Sequence, residues 1–385
     1  MRRRRMVALG VGLLLLVSAA GCGQDAPTTA PPAVTGELTG VCPDPVVVQT
    51  DWFAESEYGA YFQLLGERPT FDSASKRVRG RLTDAGRPAG VDLEIRYGGP
   101  AIGFQQVSAQ LYADPSITLG LVATDEAIQN SAALPTLAVL APLELSPAIL
   151  MWDKGRHPDV HSIADLGRTG VPVLYYQTDA YMQYLQGAGL LSPAQLDGSY
   201  DGGPSRWVTA GGELAQAGFA TSEPYIYRSE LGPGRSYDVD YQLVNDTGYP
   251  SYFSTLSVRA ADKDRLAPCL RRLVPMVQRA QVDFIADPAR ANGLIVQAVA
   301  ADESSVWSYS PGLADYAVRT MRERGIVANG ANPTLGDLDP QRVARMIEIL
   351  TPIFAAQNVP IRPGLTPDQV VTNEFVDPTI GLPAR

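Results

Sequence analysis

Histidine is nearly absent from this chain: two occur in 385 residues, alongside three cysteines. His157 and His161 sit close together in a polar stretch, and the cysteines are far apart, so no ligand spacing for a structural zinc exists. A histidine base for a nucleophile is equally scarce. Gly-x-Ser-x-Gly, a Walker loop and His-Glu-x-x-His are all missing from the sequence. Asp125 and Glu126 are neighbours that point different ways on a helix, which does not make an acid/base dyad. These gaps argue against an enzyme, and neither a catalytic residue nor a metal or cofactor is expected. Basic residues are also short, 31 against 41 acidic ones for a net charge of −10. That balance excludes a nucleic-acid partner and polybasic adhesion to a membrane. Long apolar runs are missing too: the stretch from Met6 to Val17 is too short to span a bilayer comfortably.

What is present begins with that stretch. Arg2 to Arg5 precede it, and Ser18-Ala19-Ala20-Gly21-Cys22 follows. A basic region, a short apolar run and small residues before a cut site make a secretory signal over residues 1–21. Val17 to Cys22 resembles a bacterial lipobox, which implies acylation (palmitate-type chains) of Cys22 and tethering to the outer side of the cell membrane. Two acyl chains supply the stable anchoring that one cannot. A signal cut near Ala20 without lipidation, or a short membrane anchor, is the alternative. Residues 22–44, rich in Pro, Thr, Ala and Gly, then read as a flexible tether. Losing residues 1–21 removes four arginines and no acid, so the mature chain is more acidic still.

With Cys22 assigned to the lipid, Cys42 and Cys269 are left as one possible disulfide in an oxidising exterior, or as two separate thiols. The remaining length exceeds what a single core usually carries, so two lobes are expected. Apolar β-branched runs alternate with helical periodicities. Strands are expected at 46–50, 91–97, 117–122, 137–141, 148–152, 171–176, 215–220, 241–244 and 255–258. Helices are expected at 57–65, 102–112, 162–166, 180–190, 262–285, 287–300, 311–324 and 340–357. Alternation of this kind predicts an α/β fold with mixed, parallel-rich sheets flanked by helices. Lys76-Arg77-Val78-Arg79-Gly80-Arg81 reads as a solvated loop, with an interface for a partner protein or for an anionic group on a ligand as the alternative.

In parallel sheets, ligands bind beyond the carboxyl ends of strands. Five such ends carry aromatic, hydroxyl, acidic or small residues, and they supply the candidate ligand contacts. They are Asp51 and Trp52, with Tyr58 on the next helix; Gly98 and Gly99; Thr124 and Asp125; Thr178 and Asp179, with Tyr181; and Glu223 and Tyr225. Aromatic rings supply flat walls and the polar groups fix orientation. Bland alternatives stay open: Trp52 as core, Gly98-Gly99-Pro100 as a turn, Asp125 or Asp179 as a helix cap. Tyr175, Tyr176, Tyr181, Tyr184, Tyr225 and Tyr227 crowd one part of the chain and suggest an aromatic-lined cleft in a second lobe.

Val48-Gln49-Thr50-Asp51-Trp52-Phe53 followed by Gly59-Ala60-Tyr61-Phe62 resembles the opening of a family of ABC-transporter substrate-binding lipoproteins. That family binds pyrimidine precursors of thiamine, and its relatives bind sulfonates, nitrate and flavin precursors. Gly98-Gly99-Pro100, Leu119 to Asp125, Thr221-Ser222-Glu223-Pro224 and Thr372-Asn373-Glu374-Phe375 resemble its later segments, in order. The resemblance implies a two-lobed periplasmic-binding-protein fold of type II. Residues 45–145 and 255–385 would form lobe one and 150–245 lobe two, with hinge crossings at 146–149 and 246–254. It also implies a monomer whose partners are a small-molecule ligand, an ABC permease with its ATPase and, through the lipid, the membrane. An aromatic heterocycle is the expected ligand; a sulfonate or nitrate, or a secreted hydrolase or cell-wall scaffold, are the alternatives.

Overall fold

The computed structural model describes residues 37–302 and 307–383. The expected signal, Cys22 and most of the expected tether lie outside the described residues. The last part of that tether does not, and it is packed. Leu38 is fully buried and donates its N–H to the Ala89 carbonyl, and Cys42 is bonded to Cys269.

Six strands come first: β1 (Val46–Gln49), β2 (Thr70–Asp72), β3 (Arg77–Asp84), β4 (Arg87–Arg96), β5 (Leu119–Val122) and β6 (Thr136–Leu140). Five follow in a second sheet: β7 (Ala148–Asp153), β8 (Val173–Leu174), β9 (Leu196–Asp197), β10 (Ala215–Phe219) and β11 (Val239–Leu243). The chain then returns to the first sheet as β12 (Thr255–Arg259). The seven-stranded sheet has the order β2-β3-β4-β1-β5-β12-β6, and the five-stranded one β11-β7-β10-β8-β9. Both are mixed. β1 runs parallel to β4 and β5, and β10 parallel to β8, while β12 and β7 run against their neighbours.

The chain therefore passes between sheets twice, after Leu140 and after Leu243. Ala148 and Ile149, expected in a crossing, are already paired in β7. The Arg-rich segment is a strand and not a loop. Arg77, Arg79 and Arg81 alternate with Val78, Gly80 and Leu82, so the apolar side enters the core while the arginines pair with acids. Arg79 and Arg81 both bridge Asp92 across the β3–β4 hairpin.

Helices cover the sheets: α1 (Gly59–Gln63), α2 (Val107–Ala113), α3 (Thr124–Gln129), α4 (Ile163–Thr169), α5 (Ala180–Gly187), α6 (Ser205–Thr209), α7 (Glu223–Ser229), α8 (Lys263–Ala286), α9 (Ala289–Ala300), α10 (Pro311–Glu323) and α11 (Pro340–Ala356). The long α8 buries a stripe including Leu266, Leu270, Leu273, Val277 and Phe284. Phe284 lies against α1 at Gly59, where any side chain would collide with its ring. The expected helix from 102 to 112 is broken. Gly103 and Phe104 both take left-handed backbone angles, φ 62° and 59°, and α2 starts only at Val107. α11 packs against α3 and also against α5, so it touches helices associated with both sheets.

Candidate functional site

β1 and β5 end side by side, and the residues just beyond, Thr50 to Trp52 and Ala123, turn out over the sheet edge. β12 runs the other way, so its start, with Phe253 just before it, arrives at the same edge. On the second sheet, β8 and β10 end in parallel and lead to Tyr176, Thr178 and Asp179 and to Phe219 and Glu223. These segments enclose a cavity of about 110 Å³. Its walls are Trp52, Tyr176, Tyr181, Tyr200, Phe219 and Phe253, and its acids are Asp51, Asp125, Glu126, Asp179 and Glu223. Gln106 and Thr178 add neutral polar groups. None of its lining residues is basic.

Each acid is held in place by short-range donors. Asp51 accepts from the hydroxyls of Tyr58 (3.0 Å) and Ser254 (2.9 Å). Asp125 accepts from Tyr249 (2.8 Å), and Asp179 from Tyr181 (2.7 Å). Glu126 accepts the Ser108 N–H, while Glu223 takes the Tyr200 hydroxyl and the Phe219 N–H. None of the five meets a Lys or Arg among the described residues. Burial disfavours the charged form, so it pushes Asp51 up to about 6 and Glu126 and Asp179 up to about 7. Asp125 and Glu223 are raised for the same reason. Behind the cleft, Glu57 accepts from Thr221 and is pushed up to about 7, and Glu55 beside it lies well above the usual range.

Of the residues singled out from the sequence, Asp51, Trp52, Asp125, Thr178, Asp179, Tyr181 and Glu223 line this cavity. The other five lie elsewhere. Tyr58 is fully buried and reaches the site only through its bond to Asp51. Gly98 and Gly99 donate N–H bonds to the carbonyls of Trp52 and Asp51 (2.9 and 3.1 Å). A Cβ on Gly98 would meet the Thr50 carbonyl at 2.3 Å, so this glycine serves a close backbone approach that positions Asp51 and Trp52. Thr124 is buried, accepts the Tyr252 N–H and shares a hydrogen bond with Ser251, tying α3 to the second crossing. Tyr225 stacks at a tilt on Tyr316, 5.2 Å between centroids, away from the cavity. Neither Asp125 nor Asp179 caps a helix with its side chain.

Trp52 anchors the aromatic wall, 5.5 Å from Tyr176 and 5.4 Å from Phe53 between ring centroids. Gly202, with φ 90°, lets the backbone after β9 come up against the Trp52 ring. Tyr176 lay within the noted tyrosine cluster, but Tyr200, Phe219, Phe253, Gln106 and Glu126 were not foreseen as lining. Only the end-of-strand rule, extended to strands that begin at the same edge, points to Phe253.

No family model matches the chain, and no curated protein does. Solved structures are similar. One, from Bordetella bronchiseptica RB50, is 14% identical over 86% of this chain and 95% of its own, with a TM-score of 0.53. The periplasmic aliphatic sulphonate binding protein SsuA of Escherichia coli is 13% identical, covering 88% of this chain and 94% of that one, with a TM-score of 0.51. At such identities the likeness concerns architecture. The chain has the α/β fold of a periplasmic binding protein, two mixed sheets flanked by helices.

Proposed function

We propose that this chain is the solute-binding component of an ABC importer. It captures one small, flat, nitrogen-bearing heterocycle, of pyrimidine- or flavin-precursor type, and hands it unchanged to a permease and its ATPase. One observation carries this reading: the cavity at the strand ends has aromatic walls and hydrogen-bond acceptors but no His, Cys, Lys or Arg. Rings supply contact area at low entropy cost, and carboxyl oxygens accept ring and exocyclic N–H groups. The E. coli protein is named for a sulphonate; five lining acids oppose such an anion here, because an anion calls for Arg or a bare helix N-terminus.

In this reading residues 45–145 with 255–385, and 150–245, act as two lobes that close on the ligand about the two crossings, in the manner of hinged binding proteins. The protein works outside the cytoplasm, held by acyl chains on Cys22. Cys22→Ala should move it from the membrane fraction to the soluble one, and retention of that variant at the membrane would refute the anchor. For the ligand, a thermal-shift panel of aminopyrimidines, sulfonates and nitrate is the test. A concentration-dependent rise in Tm with an aminopyrimidine, recovered unaltered afterwards, is expected. A rise with the anions alone, or chemical turnover of the ligand, would overturn the reading.

A further inference from the structure

The cavity's acids outnumber what a neutral ligand would need. Five carboxyl groups face one small space, two more lie directly behind it, and none is paired with a cation among the described residues. Bringing carboxylates together out of water is unfavourable unless an opposite charge joins them. Several of their oxygens are already committed to Tyr58, Ser254, Tyr249, Tyr181 and Tyr200. Behind the cavity, both oxygens of Glu55 and one of Glu57 are not; among the lining acids, neither are two more, the second oxygens of Asp179 and Glu126, which accept no hydrogen bond from the described residues. Both belong to residues that line the cavity. Around them stand the rings of Trp52, Tyr181, Phe219 and Phe253, whose faces attract cations, most strongly where water is excluded.

We infer that the ligand of this cleft is a planar organic monocation carrying N–H donors, of the amidinium or protonated amino-heterocycle class, with Asp179 and Glu126 as its acceptors. This deepens the proposed solute-binding role and rests on it. A charged N–H bonded to a carboxylate is stronger than a neutral contact and is shorter. The ring faces would hold the flat remainder of the molecule, and a neutral isostere would leave the cleft acids without their counter-charge. An anion of the same shape would be repelled by every acid present.

Three molecules of one shape separate these cases: benzamidine, benzamide and benzoate, which are positive, neutral and negative. Each is titrated calorimetrically into the full chain in detergent at pH 8, above the values of about 7 for Asp179 and Glu126. Benzamidine is expected to bind at least about tenfold more tightly than benzamide, a difference of about 1.4 kcal/mol, and benzoate not at all. Asp179→Asn, which keeps size and shape, should bring benzamidine and benzamide to within about threefold of each other, chiefly by weakening benzamidine. Benzamide binding as tightly as benzamidine, or any binding of benzoate, would overturn the cationic class and leave the ring-binding role standing. If none of the three binds to wild-type protein that melts cooperatively, the ring-binding role falls and this inference with it.

Discussion

The hydroxyl of Tyr176, which follows β8 of the five-stranded sheet, donates to the carbonyl of Phe104, 2.6 Å away. Phe104 belongs to the other side, in the turn after β4, and its ring lies 5.5 Å from the Tyr176 ring. The pair therefore bridges the mouth of the cleft beside Trp52. Tyr176→Phe keeps the ring and deletes the bond, so stability should change by no more than about 1 kcal/mol. If the bridge holds the cleft shut, ligand dissociation in stopped-flow should accelerate by roughly five- to tenfold, with association little altered. An unchanged dissociation rate would place the closure elsewhere.

Trp52 contributes a half-buried ring to the cavity wall and packs at the edge of the core. Trp52→Ala should weaken ligand binding at least about tenfold, since lost stacking and contact area exceed about 1.4 kcal/mol. Far-ultraviolet circular dichroism should stay native. Loss of the folded signal with retained affinity in the folded fraction would make Trp52 a core residue instead.

The cleft acids make the stability of the fold depend on pH. Their folded pKa values lie above the ordinary carboxylate range: about 6 for Asp51, about 7 for Glu57, Glu126 and Asp179, with Asp125, Glu223 and Glu55 also raised. Between those values and about 4, the folded state binds more protons than the unfolded one, so stability falls as pH rises. Ligand-free protein should therefore melt several degrees higher at pH 5 than at pH 8. Surface acids with lowered pKa values, such as Asp114, Asp165 and Glu374, reverse the trend only below the ordinary carboxylate range. Affinity for a cation should fall over the same acidification, as the neighbouring tyrosines stay neutral throughout. A melting temperature that rises steadily from pH 5 to pH 8 would show that these groups are not buried as described.

Arg342 on α11 joins the two crossings. It donates to the carbonyls of Pro250 (2.7 Å), Ser251 (2.9 Å) and Glu144 (2.8 Å), pairs with the Glu144 carboxylate, and lies 3.6 Å over the Tyr252 ring. Removing it strands several acceptors at once. Arg342→Met should cost about 2 to 4 kcal/mol in chemical denaturation, with Arg342→Lys recovering only part because it lacks the planar fork. A loss under about 1 kcal/mol would mean that water replaces these bonds freely.

The alternation of strands and helices was most readable where elements are long and periodic, as in α8 to α11. Strand ends then led to Asp51, Asp125, Asp179 and Glu223, for which position along the chain is enough. Direction was harder. Tyr225 follows the same strand end as Glu223, but on α7 it sits two residues away, on another face, while Tyr227 shares the inward one. Arg77, Arg79 and Arg81 drew attention as charge, which hid the period-two alternation with Val78 and Leu82 that makes β3. Tyr200 and Phe253 come from irregular segments without a period of their own, and only the packing of two sheets brings them to one cavity.

Native mass spectrometry of the protein purified from its own host tests the central claim most directly. A one-to-one adduct with a single small, nitrogenous ring compound is expected. Trp52→Ala should lose it, and it should be released on denaturation with the mass it had when bound. A wild-type protein that carries no adduct and acquires none from a host metabolite extract, or one that converts the added compound to another mass, would contradict a solute-binding role for this cleft.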